Sequence, residues 1–204
     1  MTSDSFYQQY MQQFQTALEG IEVSDAEQKI STAEALKQTN IWLQEAQKLG
    51  KKIMIFGNGG SAGVASHMAV DFWKNGGVRA MTFNDAPVLT CISNDYSYEE
   101  VFEVPVRQFA EEGDIAICIS SSGSSINIRR GAIAAKELGC RVIGCSGFNS
   151  DNPLRKLGDL NFYVPSFSYG FVETLHQLII HVILDNKLYL LDKKDVFHRN
   201  EVME

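Results

Sequence analysis

Residues 52–61 of this 204-residue chain read KIMIFGNGGS, and this stretch is the most informative about the fold. Its apolar half predicts a buried strand, because a short apolar run bounded by glycines is typical of one. The three glycines that follow allow a tight turn and a close approach of the backbone to a ligand. We expect a helix to begin near Ser61, where free backbone N–H groups and the helix dipole favour an anion. Residues 57–61 are therefore a candidate anion site.

The predicted helix after this turn carries His67 and Asp71, which share one face because they are four residues apart. A second predicted helix, at 171–191, carries Glu173, His176 and His181. Glu173 and His181 are ~12 Å apart along an ideal helix axis, so their side chains only just reach one ion between them. Two imidazoles and two carboxylates suit Zn²⁺ or a similar divalent ion. Without a metal the same groups could serve as an acid/base pair. The alternative for a single histidine is a surface residue or a core residue with its hydrogen bonds satisfied.

Composition limits the possible classes of protein. Hydrophobic residues make up 45% of the chain, which is enough for one domain with a full core. No apolar run approaches the roughly 18 residues of a membrane helix, and the first residues lack the pattern of a signal peptide. The net charge of −7 argues against a general nucleic-acid-binding field. Four cysteines without CxxC spacing, three of them in predicted strands, predict buried free thiols. We therefore expect a cytoplasmic protein.

Strand and helix patterns alternate from residue 51 onward. The predicted strands are 52–56, 79–83, 88–93, 114–120, 141–146 and 160–164, and the predicted helices are 62–74, 98–111, 125–138 and 171–191. Such alternation predicts an α/β fold with a parallel sheet between layers of helices. We expect residues 1–50 to form helices, the second from about 24 to 49 and closed by Gly50, that pack on the domain or on another subunit. The main domain is expected over 51–192 and a polar tail over 193–204.

Small polar residues follow three of the predicted strands. In an open parallel sheet, ligands bind beyond the carboxyl ends of the strands. Residues 57–61 follow the first strand, residues 93–95 follow the strand at 88–93, and the run SSSGSS at 120–125 follows the strand at 114–120. Five hydroxyls at the start of a helix suit a phosphate dianion, and Ser125 is also a candidate N-cap. The alternative for this run is an ordinary strand-to-helix turn rich in small residues.

These residues resemble those of the sugar isomerase (SIS) domain family, and within it the phosphoheptose isomerases. The resemblance runs from about residue 53 to 185 and rests on six ordered motifs: GNGGSA at 57–62, His67, SNDY at 93–96, GD at 113–114 with ISSSGSSIN at 119–127, His176 and His181. It implies a single SIS domain with a flavodoxin-like parallel five-stranded sheet flanked by helices, and an N-terminal helical extension. It also implies an isomerase that interconverts a 2-ketose and an aldose through an enediol.

The resemblance assigns roles residue by residue. It implies Asp71 and His181 as the proton-transferring residues, and a Zn²⁺ site of His67, Asp71, Glu173 and His181. The implied phosphate and sugar ligands are Asn58, Gly59, Gly60, Ser61, Asn94, Asp95, Ser120, Ser121, Ser122, Ser125 and Glu173. Family members are typically homotetramers with sites at subunit contacts, so the resemblance also implies a homo-oligomer that takes a phosphorylated sugar.

The chain departs from the family pattern around the proposed chemistry. Asp71 stands where the family has glutamate, Glu173 where it has glutamine, Asn75 where an arginine is usual, and Gly170 where an aspartate is usual. The shorter carboxylate is pulled back by ~1.5 Å, a displacement that matters for proton transfer. The alternative function is therefore a non-catalytic sugar-phosphate-binding or regulatory SIS protein, of the type that associates with the replication initiator. Both His67 and His181 are present, and this favours the enzyme.

Overall fold

The structure, a computed structural model, describes residues 2–26 and 28–197. The strands are β1 (Glu22–Asp25), β2 (Lys29–Ile30), β3 (Lys52–Gly57), β4 (Arg79–Met81), β5 (Ile115–Ser120), β6 (Arg141–Gly147) and β7 (Leu160–Val164). The α-helices are α1 (Ser3–Glu19), α2 (Thr32–Leu49), α3 (Gly60–Lys74), α4 (Ala86–Asp95), α5 (Glu103–Phe109), α6 (Ile126–Glu137) and α7 (Tyr169–Leu190). Short 3₁₀ turns cover Tyr98–Glu100 and Pro153–Lys156. No helix within the described ranges is long and apolar enough to cross a membrane.

The described strands form one sheet in the order β2-β1-β7-β6-β5-β3-β4. The five strands from β7 to β4 are parallel, and β1 and β2 extend the sheet antiparallel at the β7 edge. This confirms the predicted α/β class with five parallel strands, to which the N-terminal region adds two short strands. Gly57 at the end of β3 is paired with Ile119 of β5, so the two polar loops leave the sheet side by side.

Helices cover both faces of the sheet. Ile53 and Ile55 of β3 contribute to one core cluster, and Met54 and Phe56, which point the opposite way, contribute to the other. All four side chains are fully buried. The first cluster includes residues of α2, α3 and α7, and the second includes residues of α4, α5 and α6. A strand buried on both faces reads as a continuous apolar run, and this explains why residues 52–56 were recognisable as a central strand.

Two predicted elements are wrong. The strand predicted at 88–93 is part of α4, since a short apolar run does not by itself distinguish a strand from a helix. Pro87 lies in the first turn of α4, where a backbone N–H would have no acceptor within the helix, so that a residue without an N–H is tolerated. The helix predicted from about 24 begins instead at Thr32, where Ser31 and Glu34 form a capping box. Residues 22–25 and 29–30 form instead the antiparallel pair β1–β2, because Val23 packs into the core beside β7.

Smaller features also differ from expectation or confirm it. The helix predicted over 98–111 is divided into a 3₁₀ turn and α5. Gly50 ends α2 in the left-handed conformation with φ +64°, as the sequence predicted. Cys118, Cys140 and Cys145 are buried free thiols, whereas Cys91 is exposed because its segment is the helix α4, of which only Ile92 is buried. Of the predicted polar tail, only residues 193–197 lie within the described part of the chain.

Candidate active site

The loop between β3 and α3 requires glycine for close approach of its neighbours. Gly59, the N-cap of α3, has φ +55°. A Cβ on Gly57 would lie 2.6 Å from the Ser61 side chain, and a Cβ on Gly60 would collide with the Glu173 carboxylate. Such distances are far inside van der Waals contact, so these positions admit glycine alone without rearrangement. The turn therefore brings the start of α3 directly against α7.

The loop between β5 and α6 is closed by its own hydroxyls. Ser120 Oγ accepts a hydrogen bond from the Gly123 N–H at 3.1 Å and donates to Ser125 Oγ at 3.3 Å. Gly123 has φ +63°, which glycine adopts without strain. Ser125 is the N-cap residue of α6, yet its side chain makes no capping hydrogen bond to the helix. Its hydroxyl is thus directed to the loop rather than to the helix N–H groups.

These two loops and the start of α7 enclose one small pocket of about 160 Å³. Its lining residues are Asn58, Ser61, Ile119, Ser120, Ser121, Ser122, Ser125, Tyr169 and Glu173. The structure therefore brings together seven of the residues that the sequence analysis selected for substrate binding. The pocket lies at the N-terminal ends of three helices and is lined by hydroxyls, an arrangement that suits a compact anion such as phosphate. Tyr169, the first residue of α7, was not predicted.

Farther along α3, three side chains from α3 and α7 form a separate group. His67 Nε2 lies 3.2 Å from His181 Nε2 and 3.2 Å from Asp71 Oδ2. His181 Nδ1 lies 4.0 Å from the same carboxylate oxygen. The half-exposed ring of His67 and the partly buried Asp71 and His181 together leave the group accessible from solvent. The i, i+4 spacing predicted the first pair, and the packing of α3 on α7 supplies His181.

The geometry of this group fits a divalent metal ion. Each of the three residues offers one ligand atom, and these atoms lie within 4.8 Å of one another. Two nitrogens bound tetrahedrally at about 2 Å from Zn²⁺ lie about 3.3 Å apart, close to the separation of the two Nε2 atoms. Glu173, the fourth ligand that the resemblance implies, is not in this group. Its carboxylate lies against Gly60 in the serine pocket.

Two further side chains near this group were not predicted as site residues. The Asn75 carboxamide donates to Asp71 Oδ1 at 3.2 Å. Asp185, one turn after His181, is half-buried, and burial raises the pKa of its carboxyl group. His181 opposes that rise and the Asp71 carboxylate adds to it, so Asp185 lies within electrostatic reach of both. The i, i+4 spacing of Asp185 from His181 is the signal that could have identified it.

Asn94 and Asp95 lie at the end of α4 and do not line the serine pocket. Both are exposed, and Asn94 Nδ2 donates to Asp95 Oδ1 at 2.9 Å. The Cys91 thiol donates to Asp95 Oδ2 at 3.5 Å, and this contact raises the pKa of Cys91. The sequence predicted these residues at a strand end, whereas they form the last turn of a helix. Their contribution to the site stays a prediction.

Comparison with known proteins identifies the family. The SIS domain family matches residues 9–147. The phosphoheptose isomerase of Helicobacter hepaticus is 37% identical over 165 residues, covering 78% of this chain and 84% of that protein. The phosphoheptose isomerase of Clostridium acetobutylicum is 39% identical over 148 residues, covering 69% and 74% respectively. The chain belongs to the SIS domain family and, within it, to the phosphoheptose isomerases.

Solved structures agree with this membership. The phosphoheptose isomerase of Neisseria gonorrhoeae superposes with a TM-score of 0.78 at 27% identity, covering 90% of this chain and 98% of that one. The phosphoheptose isomerase of Francisella tularensis has a TM-score of 0.79 at 24% identity and supports the fold. The SIS family match spans both pocket loops and the pair His67 and Asp71, whereas Glu173 and His181 lie beyond its end.

Proposed function

We propose that this protein is an aldose–ketose isomerase that converts sedoheptulose 7-phosphate into a heptose 7-phosphate, as in the biosynthesis of surface-sugar heptoses. The observation that carries the proposal is the position of the His67–Asp71–His181 group on α3 and α7. The N-terminal ends of these same helices border the serine pocket. An anion pocket and a set of proton-transferring groups thus share two helices. The phosphoheptose isomerases among the relatives support the same reaction.

The separation of the two parts supports a long sugar. Ser61 in the pocket and His67 are six residues apart on α3, which is ~9 Å along the helix axis. An extended seven-carbon chain with a terminal phosphate spans roughly 10 Å at single-bond lengths of about 1.5 Å. A phosphate held by the serines therefore places the first two carbons of a heptose near the histidines. A three-carbon sugar phosphate is too short to bridge this separation.

The proposed chemistry is a proton transfer through an enediol. Asp71 takes a proton from the carbon next to the carbonyl and returns it to the neighbouring carbon. His181 gives a proton to the carbonyl oxygen and takes one from the adjacent hydroxyl, so that charge does not build up on the oxygens. The approach of Asp71 Oδ2 and both imidazoles within one group supports a shared reaction centre.

We propose that the same group holds a divalent ion, with Zn²⁺ as the first candidate. His67, Asp71 and His181 would bind it, and their spacing supports the assignment. Glu173 is the proposed fourth ligand on the strength of the resemblance, and its carboxylate, which lies against Gly60, would have to turn along α7 toward His181 to bind the ion. When bound, a divalent ion polarises the substrate carbonyl and stabilises negative charge on its oxygen.

The remaining proposed roles are those of the residues that bind the phosphate and the sugar. We propose that the hydroxyls of its serines bind the phosphate and that the other selected residues line the sugar. The phosphate set is Ser61, Ser120, Ser121, Ser122 and Ser125, and the sugar set is Asn58, Gly59, Gly60, Asn94, Asp95 and Glu173. We propose that hydroxyls and the N-terminal ends of three helices take the place of a cation, because no lysine or arginine is among the residues that line the described pocket.

We further propose that the first fifty residues pack against other subunits of a homotetramer, with residues 51–192 as the SIS domain and 193–204 as its polar tail. The support is the exposure of large apolar side chains along one helix, α1. Phe6, Tyr7, Tyr10 and Met11 are each at least 40% exposed. An exposed apolar surface of this kind is typical of a protein contact.

The test is a turnover assay on the purified full chain. Sedoheptulose 7-phosphate and shorter ketose phosphates are supplied to the protein with added Zn²⁺ and after chelation, and the bound metal is quantified by mass spectrometry. We expect turnover of the heptulose phosphate, with loss on chelation and recovery on addition of Zn²⁺. Tight binding of sugar phosphates without turnover of any of them would overturn the proposal.

A further inference from the structure

Two carboxamides beside the serine pocket form a reciprocal pair. Asn58 Nδ2 donates to Asn127 Oδ1 at 3.0 Å, and Asn127 Nδ2 donates to Asn58 Oδ1 at 2.9 Å. The Tyr98 hydroxyl donates to the same Asn58 oxygen at 3.0 Å. Asn127 is buried in the first turn of α6, Tyr98 begins a 3₁₀ turn, and Asn58 lines the pocket.

The backbone fixes which way each amide faces. The Ile128 N–H lies 2.9 Å from the Asn127 side chain, and a peptide N–H only donates, so the atom facing it is Asn127 Oδ1. The other end of the Asn127 amide is therefore the donor Nδ2. The Asn58 atom that receives this donor must be its oxygen, and Tyr98 must donate to that oxygen as well. The orientation of Asn58 is thus set through Asn127 by one N–H of α6.

This network leaves one N–H of the Asn58 carboxamide available to a ligand. Its oxygen has two lone pairs, and two donors occupy them. Its Nδ2 carries two hydrogens, one of which goes to Asn127. We propose that Asn58, which also lines the sugar, acts only as a hydrogen-bond donor toward the pocket, aimed at a phosphoryl oxygen of the same substrate, and that Asn127 and Tyr98 are positioning residues that enforce this polarity. The proposal rests on the proposed function for its substrate, a sugar phosphate.

The polarity matters because the ligand is an acceptor. An amide free to turn over would present its oxygen to a phosphate as readily as its nitrogen, and the oxygen repels the anion. The Glu173 carboxylate already lines the pocket with acceptor atoms. Asn58 is the one carboxamide among the lining residues, so its orientation decides whether this part of the wall attracts or repels a phosphate.

Tyr98→Phe is the main test, because it removes one hydroxyl from a side chain that is 55% exposed and leaves the ring in place. Tyr96→Phe is the matched control, since Tyr96 is 63% exposed and makes no side-chain hydrogen bond within the described part of the chain. We expect Tyr98→Phe to raise KM by about threefold to tenfold with kcat within twofold, the size expected for one neutral hydrogen bond. Tyr96→Phe should change neither constant.

Asn127→Ala tests the other partner, and titration calorimetry with inorganic phosphate gives a readout that does not need turnover. We expect both Tyr98→Phe and Asn127→Ala to weaken phosphate binding, the latter by about tenfold or more because the Asn58 amide can then turn over. Thermal melts identify a variant that fails to fold, and Tyr98→Phe then decides alone. Phosphate affinity and KM of Tyr98→Phe equal to those of Tyr96→Phe would overturn the inference. A wild-type chain that binds phosphate but turns over no sugar phosphate overturns the proposed function and leaves the binding comparison valid.

Discussion

Asn75 holds one oxygen of Asp71 while the other oxygen faces the histidines. Asn75 Nδ2 donates to Asp71 Oδ1 at 3.2 Å, and Asp71 Oδ2 lies 3.2 Å from His67 Nε2. The backbone carbonyl of Asn75 accepts a hydrogen bond from the Lys194 ammonium at 3.0 Å. Asp71 and Asn75, two positions at which the resemblance implies a departure from the family pattern, are therefore in contact. The contacts with Asn75 and His67 fix the direction of the Asp71 carboxylate.

We expect Asn75→Ala to lower kcat by about tenfold with KM little changed, because a hydrogen bond to a charged group is lost and Asp71 gains rotational freedom. Affinity for Zn²⁺, measured by competition with a chelator, should fall in parallel. Lys74→Ala is the control, since Lys74 is the exposed neighbour of Asn75. Equal kinetics and equal Zn²⁺ affinity for the two variants would contradict the role of Asn75.

His181→Ala should remove turnover and leave phosphate binding intact. The loss of a general acid/base group lowers kcat by about 10²–10⁴-fold. Phosphate affinity should stay within twofold of wild type, because the pocket is built from the loops before α3 and α6 and the start of α7. Steady-state kinetics and calorimetry with inorganic phosphate measure the two effects. A loss of phosphate binding as large as the loss of turnover is inconsistent with the separation of the two parts.

Asp71 is tested by two substitutions that differ in charge and length. Asp71→Asn keeps the shape and removes the base, so kcat should fall by about 10²–10⁴-fold. Asp71→Glu supplies the longer carboxylate that the resemblance implies for the family and should keep or raise kcat on sedoheptulose 7-phosphate. If Asp71→Glu loses as much activity as Asp71→Asn, the pocket is matched to the shorter carboxylate and to a different sugar.

The sequence predicted the elements whose signal is local. The central strand at 52–56 could be predicted because a buried parallel strand is a continuous apolar run. The serine run at 120–125 could be predicted because small polar residues follow such a strand at its carboxyl end. Segments with no unique local signal were mispredicted, as in α4, whose apolar run also suits a strand. The strand pair β1–β2 depends on pairing of β1 with β7, a contact between residues more than 130 positions apart.

The same division holds for the candidate site. His67 and Asp71 could be paired from their spacing on one helix, and both loops from their glycines and serines. The contacts of Tyr98 with Asn58, and of Glu173 with Gly60, join distant segments and depend on how the helices pack. No periodicity in the sequence reports such contacts. The position of the Glu173 carboxylate in the serine pocket could therefore be learned only from the structure.

Asp114 supports the fold rather than the reaction, and its removal should destabilise the protein. Its fully buried carboxylate accepts hydrogen bonds from Lys52 Nζ at 2.6 Å, from the Lys52 N–H at 2.9 Å and from the Glu111 N–H at 2.8 Å. Asp114→Ala leaves a largely buried ammonium unpaired, and we expect a loss of about 3–5 kcal/mol in the free energy of unfolding. Urea denaturation measures it, and Asp151→Ala on the surface should change it by less than about 0.5 kcal/mol. A loss below 1 kcal/mol for Asp114→Ala, on the order of an exposed ion pair, is the contrary result.

His176 should make the protein less stable in mild acid. Both ring nitrogens are shielded from solvent, and burial lowers the pKa of His176 from 6.5 to about 4. Between these values the unfolded chain binds a proton that the folded chain does not, so stability is complete above pH 6.5 and is lost as the pH falls toward 4. The shift corresponds to about 3 kcal/mol. Urea midpoints of wild type and His176→Leu, measured from pH 4 to 8 with a chelator present, should diverge in this window, with the steeper fall in wild type. The chelator removes any contribution from metal release at His67 and His181. Parallel curves for the two proteins would show that His176 is charged or solvated in the folded state.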